Sequence, residues 1–519
     1  MGYGQPHNTV KDVATPLYAR AMVIKDQSGN HILLVHLEQA FVSMAIKEEI
    51  LARLQKMFPE LALSHKDLLM TAQHTHSAPG GYSHYPFYNF TIPGFQTKVF
   101  ETICSGIMNS LTQAFKDLTP GRLHWGSHEV AAEKEVAFNR SLSAYLSNED
   151  APALQKEDSH LAINREMEGL FFTTSSGDVK AFINWFGVHG TSISSFNHRI
   201  HHDNKGIAAA LYEKHHPGIT AFFLQSAAGD VSPNFIWDPL LKRSRGKFQD
   251  QYESASFNGE IQFRESEKIS KDKELRGSLR SLHRFFDMKK AVAPAAHGVS
   301  FFRGTREGPG VGAAFGTVLK LVARTVKKNH LIKNPAAHEK FYAAHYPKDV
   351  LLDHRSGSFL GLPLSLWKKL PPIPDATVED FRKSARSESI NTLPWVPEIL
   401  PFQIITLGPL LIAAVPGEIT TMAAKRLKDF ILKRVESTSV EQVIITSYAN
   451  AYMGYVTTPE EYFQQCYEGG HTIYGHGTLR GIFEGFEGLL EKLQHPDTKI
   501  DDLPTFQFPN DELARRSFS

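Results

Sequence analysis

Five short stretches of the chain carry side chains whose types and spacing suit polar chemistry. The first, Gln73-His74-Thr75-His76-Ser77-Ala78-Pro79-Gly80-Gly81, follows the apolar run DLLMTAQ. Residues two apart in a strand share a face, so His74 and His76 can converge on one site. A strand end entering a Pro-Gly-Gly loop is also where a rigid sheet can position catalytic groups. An isolated His-x-His is equally the mark of an incidental surface pair. In the second stretch, NWFGVHG, His189 ends another apolar strand, where a satisfied core histidine is the plainer reading. His198, His201, His202 and Asp203 follow in a polar loop.

The third stretch, QSAAGDVSPN, reads as a tight turn exposing Asp230 and Ser232. It is not the Gly-x-Ser-x-Gly elbow, which occurs nowhere in the chain, so a Ser-His-Asp nucleophile is not the first choice. In the fourth, VPGEITT, Glu418 follows an apolar strand and opens a helix, a position that the helix dipole alone would favour. The fifth, from Ala449 to Gly470, holds Tyr455 and Tyr467 in a loop, where packing explains tyrosines poorly. Two histidines, a carboxylate and an oxygen ligand would suit a catalytic zinc, which keeps one position open.

Composition narrows the choice of metal site. The chain has 519 residues, 25 of them His and only 2 Cys, which excludes a disulfide framework or a Cys-rich zinc or iron–sulfur module. A metal here would be bound through imidazole and oxygen. With 56 Lys+Arg against 55 Asp+Glu, the net charge is 56 − 55 = +1, and no general pull toward nucleic acid is expected. The glycines of Gly308-Pro309-Gly310-Val311-Gly312 fit a dinucleotide fingerprint only loosely. Pro309 removes an amide, and Lys328 stands where an acidic ribose ligand belongs.

The elements that must position these stretches alternate between strand and helix. LYARAMVI, a turn over 26–30 and HILLVHL read as paired strands, followed by a helix over Met44–Met57. Strands are expected over 67–73, 181–188, 221–224, 410–415 and 442–448, with helices over Thr97–Lys116, 206–214 and 419–435. The apolar stretch IITLGPLLIAAV is too short to span a bilayer and reads as two strands turning at Gly408-Pro409. The charge-dense segment 242–290 reads as a loop followed by an amphipathic, solvated helix. The expected fold is α/β, a large mixed β-sheet core with surrounding helices in a single catalytic domain spanning 1–519. The first twenty residues lack the pattern of a secretory signal, and the chain reads as soluble.

Taken in order, QHTHSAPGG, FNRSLSAY, NWFGVHGTS, DNKG, AGDVSPN, VPGEITTMAAKRL and YVTTPEEY with YEGG resemble the neutral, non-lysosomal ceramidases, from Met1 to about Leu479. The resemblance implies a zinc amidase that cleaves the N-acyl bond of ceramide, releasing a sphingoid base and a fatty acid. Matched motif by motif, it implies His74, His189, Glu418 and Tyr455 as Zn2+ ligands. His76, Arg140 and Tyr467 would surround the substrate amide. Ser232 falls where a serine has been considered catalytic, though zinc chemistry would make it a supporting or substrate-contacting group.

The implied partner is ceramide or a related N-acyl lipid, with peripheral membrane contact and no nucleic acid; oligomeric state is not specified. Family members are often secreted, and longer ones carry a C-terminal immunoglobulin-like domain, which is not expected in 1–519. Ala78, Ala227 and the pair His201-His202 depart from the family pattern and are expected to touch the pocket rim. Two other readings stay open: the same zinc site acting on another N-acyl amide or ester lipid, and a catalytically silent lipid-binding homologue.

Overall fold

The computed structural model describes residues 1–519 apart from 6, 90, 91, 93, 309, 311, 356–357, 360–361, 364–368, 370–392, 501 and 519. Strands Ala19–Lys25 and His31–Leu37 pair antiparallel, as their alternation predicts. Asp26 shapes the turn between them, its carboxylate accepting from the amides of Ser28 and Asn30 at 2.9 Å each. Helix Met44–Met57 starts at Ser43, whose hydroxyl accepts from the Ile46 amide, and buries Ile46, Ile50 and Leu54 at four-residue spacing. It returns the chain so that Leu68–Ala72 lies parallel to His31–Leu37.

The β core is mixed, as expected, and is divided among several sheets, three of which carry the strands that lead into the site. Besides this three-stranded sheet, a five-stranded sheet runs in the order Thr220–Leu224, Val179–Trp185, Glu166–Thr174, Gly121–Glu129, Lys273–Leu275. A four-stranded sheet runs Leu279–Asp287, Ile399–Leu407, Leu410–Ala414, Gln442–Thr446. Side chains from all three, including Leu34, Leu69, Ile183, Trp185, Phe222, Leu410 and Ile444, pack into one cluster. The turn at Gly408-Pro409 sits where the sequence put it, with Gly408 at φ 59°. Among the described residues no helix is long and apolar enough to cross a membrane.

The segment 242–290 differs from its expected loop and solvated helix. It holds a strand, Arg243–Arg245, then helix Gln251–Ser266, then strands Lys273–Leu275 and Leu279–Asp287. The last of these pairs with Ile399–Leu407 along its whole length. Its arginines suggested solvent, but Arg280 donates to the Leu493 carbonyl at 3.0 Å while Leu279 and Phe285 are buried. Pairing with a long apolar partner outweighs local charge.

Each sheet contributes one parallel pair: His31–Leu37 with Leu68–Ala72, Val179–Trp185 with Thr220–Leu224, and Leu410–Ala414 with Gln442–Thr446. Parallel strands end on the same side, and loops leaving their carboxyl ends are natural binding positions. Isolated bridges Thr71–Ala449 and Thr75–Gly190, and the short parallel pair Glu418–Ile419 with Tyr455–Val456, stitch these ends together.

Candidate active site

His74 lies two residues beyond its strand in a left-handed conformation, φ 69°, which a non-glycine residue adopts only under constraint. The constraint is visible: its amide donates to the Gln39 carbonyl at 3.0 Å and its Nδ1 contacts the Ala40 carbonyl at 2.6 Å. The neighbouring loop approaches so closely that a Cβ on Gly190 would meet the His74 carbonyl oxygen at 2.3 Å. His189 follows the second parallel pair, its Nδ1 against the carbonyls of Ala228 (2.6 Å) and Val231 (3.2 Å). Both rings thereby hold Nε2 toward the same point, an arrangement that fixes ring orientation in metal-binding histidines.

Glu418 completes the convergence from the third pair. Its Oε2 lies 3.3 Å from His74 Nε2 and 3.1 Å from His189 Nε2, and the Tyr455 hydroxyl lies 3.2 Å from His189 Nε2. Tyr448 donates to Glu418 Oε2 at 3.1 Å, and Tyr452 donates to Oε1. Burial alone would raise the Glu418 pKa, but His74 and His189 hold it well below the ordinary carboxylate range. Burial pushes the Tyr455 hydroxyl well above its ordinary value, against the opposing pull of Arg140.

His76 Nε2 is 2.9 Å from His74 Nε2, and ligand nitrogens of His74, His76 and His189 all lie within 4.8 Å of one another, so the triad could hold a metal ion. Burial first, then His74 and His189, keeps the His76 ring well below its ordinary pKa. The Gly2 amide donates to the His76 carbonyl at 3.0 Å, and the Tyr3 ring meets the His76 imidazole edge-on with centroids 4.6 Å apart.

Arg140 reaches the cluster from the opposite side. Its Nη2 donates to the Tyr455 hydroxyl (2.8 Å) and the Gly229 carbonyl (2.9 Å), its Nε to Glu468 (2.8 Å), and its Nη1 lies 3.4 Å from Glu307. Its guanidinium lies 5.6 Å from the Tyr467 ring centroid. Glu307 also accepts from Thr191 and from Asn234, each at 2.9 Å.

These groups form the floor of a cavity of about 410 Å³, a volume typical of small-molecule sites. Its wall is mainly aromatic, with Phe41, Tyr82, Phe87, Tyr88, Phe301 and Phe302. Seven of the eight expected site residues, His74, His76, Arg140, His189, Glu418, Tyr455 and Tyr467, line the cavity. Ser232 does not. It is fully buried, accepts from the Asn234 amide at 2.9 Å and hydrogen-bonds Glu307, one layer behind Arg140.

The departures expected at the rim lie elsewhere. Ala78 and Ala227 are buried, Ala227 in an apolar cluster, and neither they nor His201 and His202 line the cavity. Glu307, Glu468, Tyr448, Tyr452 and His471 were missed. Glu307 adjoins the glycine-rich loop dismissed as a nucleotide site, and nothing local marks it. The density of tyrosines after Ala449 was the one signal for Tyr452, and Tyr448 lies just before that stretch, at the end of the expected strand 442–448.

Residues 1–362 and 385–484 match the profile of a family described as neutral/alkaline non-lysosomal ceramidase, N-terminal. The chain is 32% identical to the neutral ceramidase of Pseudomonas aeruginosa, over 95% of this chain and 69% of that one. It is 30% identical to neutral ceramidase A of Dictyostelium discoideum, over 95% and 70%, and 28% identical to the Drosophila melanogaster neutral ceramidase, over 99% and 74%. Among solved structures it is similar to a ceramidase complexed with C2, with TM-score 0.80, 29% identity and coverage of 98% of this chain and 74% of that one. The Pseudomonas aeruginosa neutral ceramidase structure gives TM-score 0.75 and 28% identity, covering 98% and 73%.

Proposed function

The chain belongs to the neutral/alkaline non-lysosomal ceramidase family, and from that premise we propose that it is a zinc-dependent amidase hydrolysing the N-acyl bond of ceramide. The observation that carries the metal part is the meeting of two imidazoles, a carboxylate and a phenol at the carboxyl ends of three parallel strand pairs. Nitrogen and oxygen donors with no thiolate suit Zn2+. His74, His189, Glu418 and Tyr455 would hold the ion. When bound, it supplies Lewis acidity and lowers the pKa of water at the cavity floor.

The chain's own residues do the rest. In the reaction the C–N bond breaks, the carbonyl carbon gains hydroxyl from water, and the amine nitrogen gains a proton. His76, kept neutral by burial, is placed to accept the proton that water gives up and return it to the leaving nitrogen. Arg140, cationic and braced by Glu468 and Glu307, would stabilise the negative charge developing on the carbonyl oxygen together with the Tyr467 hydroxyl. Ser232 contributes at one remove by holding Glu307. The aromatic wall would take the substrate amide and the first part of both chains out of water.

Two measurements on the purified chain test this reading. Elemental analysis should find one zinc per chain, and fatty acid should be released from ceramide in preference to short N-acyl amines. Release only from non-sphingoid substrates would sink the ceramide assignment, and bound lipid without turnover would favour a silent binding protein.

A further inference from the structure

Helix Ala313–Lys333 is unlike the rest of the molecule in charge. The chain is close to neutral, with 56 Lys+Arg against 55 Asp+Glu, yet 313–333 carries Lys320, Arg324, Lys327, Lys328 and Lys333 and no acidic residue. Its field is therefore local and positive. Of these cations, Arg324 is paired with Asp349 at 2.9 Å and Lys327 stands over the Tyr342 ring, whereas Lys328 and Lys333 are exposed.

The helix is also apolar on two sides. Its inner side buries Leu319 and Ala323 against Val299, Leu351 and Phe302. Phe302 lines the catalytic cavity, and the loop just before the helix supplies Thr305, Glu307 and Gly308 to the same wall. The outer side exposes Val318 (51%), Leu321 (61%) and Ile332 (69%), with Phe315 (55%) at its edge. Val318, Leu321, Thr325, Lys328 and Ile332 recur at three- and four-residue steps and so form one outward stripe. Large apolar side chains that face water together on a cationic helix mark a binding surface and not a core.

We infer that the outer face of helix Ala313–Lys333 docks the protein on an anionic lipid surface. Apolar residues flanked by lysine and arginine, with no acid, match the interfacial region of a bilayer carrying negative headgroups. There the side chains of Val318, Leu321 and Phe315 enter the acyl boundary and the lysine ammonium groups stay among the headgroups. Because the inner face of the same helix backs the cavity wall, docking here would hold the catalytic cavity beside the lipid. The inference concerns where the molecule sits, and it does not depend on which amide is cleaved.

Vesicle co-sedimentation of the full chain tests it, using vesicles without ceramide so that failure would leave the hydrolase reading untouched. The chain should partition onto phosphatidylcholine vesicles containing phosphatidylglycerol, weakly onto phosphatidylcholine alone, and less as salt is raised. Val318→Glu with Leu321→Glu should weaken partitioning by roughly tenfold or more, with turnover of detergent-dispersed short-chain ceramide unchanged. If that variant fails to fold by circular dichroism, Lys328→Gln with Lys333→Gln should still weaken binding by several-fold. Equal binding by parent and variants would overturn the inference, as would no binding at all. So would a concentration-dependent dimer abolished by Val318→Glu with Leu321→Glu, which would make a second copy the partner.

Discussion

Two groups of buried or half-buried histidines stand at one cavity and are treated in opposite ways by their surroundings. On the floor, His74 and His189 face the Glu418 carboxylate within 3.3 Å. At the aromatic wall, where His471 itself lines the cavity, His297, His354 and His471 are packed among rings and one another. His297 Nδ1 meets His354 Nε2 at 2.8 Å, and the centroids of Phe87 and Phe301 lie 4.0 Å from His297 and 4.3 Å from His471 respectively. Burial outweighs the carboxylates that act on two of them, Asp353 on His354 and Glu418 on His471, and the buried cation Lys348, which donates to the carbonyls of Ala296 and Thr472, acts in the same direction as burial. Imidazole next to a carboxylate can take a cation; imidazole beside phenyl rings and a lysine stays neutral and fills space. The difference between a ligand and a packing residue is thus made by the partner and not by the histidine.

The comparison breaks most sharply if a floor histidine is removed. His189→Ala should abolish stoichiometric metal and lower kcat/KM by about a thousandfold or more, read by elemental analysis and ceramide turnover. Retained metal with full turnover would place the metal elsewhere. Arg140→Ala should come next. It leaves Glu307 and Glu468 buried without their cation, at a cost of about 3–5 kcal/mol in stability, seen as a large drop in Tm. Adding Glu307→Gln should restore part of that loss, and a strictly additive double mutant would disprove the coupling.

The wall histidines predict acid sensitivity. Burial lowers the pKa of His354 and His471 to about 3 each and that of His297 well below its ordinary value, with Lys348 adding to the effect. An unfolded histidine titrates near 6.5, so these rings bind protons more readily when unfolded. Their contribution is fully present above about pH 6.5 and is lost as pH falls from there toward 3, at about 1.4 kcal/mol per pH unit for each ring. Urea midpoints at pH 7.5, 6.5 and 5.5 should fall with increasing steepness. His354→Phe should flatten the slope by about one proton; an unchanged slope would show that this ring is not held neutral.

Much of the scaffold was legible because its signals are local. Helix Met44–Met57 was read where it forms, after the paired strands, and continuous apolar runs marked the strands before His74, His189 and Glu418. Of the 25 histidines, sequence singled out His74, His76 and His189 by their strand-end motifs, whereas His297 and His471 carried no signal of their place beside the same cavity. Glu307 was invisible because its partners, Arg140, Thr191 and Asn234, are 73 or more residues away in the chain. Strand Leu279–Asp287 was misread because its charged residues are solvated or capped by partners that only the folded sheet supplies. Separate strand ends could be joined into one site only through resemblance, because convergence of three sheets is a tertiary fact.

The smallest expected effect tests whether the wall acts through apolar contact alone. Phe301 stacks with Tyr467 at 5.4 Å and leans on His471 at 4.3 Å between centroids, so it borders both the floor and the neutral histidines. Phe301→Ala removes apolar surface from the cavity without touching any floor donor. If the wall serves only to bury acyl and sphingoid methylenes, KM for long-chain ceramide should rise roughly five- to tenfold, about 1–1.4 kcal/mol of lost burial. For an N-acetyl substrate, which has little chain to bury, kcat should stay within about twofold. A fall in kcat for both substrates would instead mean that Phe301 positions Tyr467 for the chemistry. The division between a polar floor that reacts and an apolar wall that only binds would then fail at this residue.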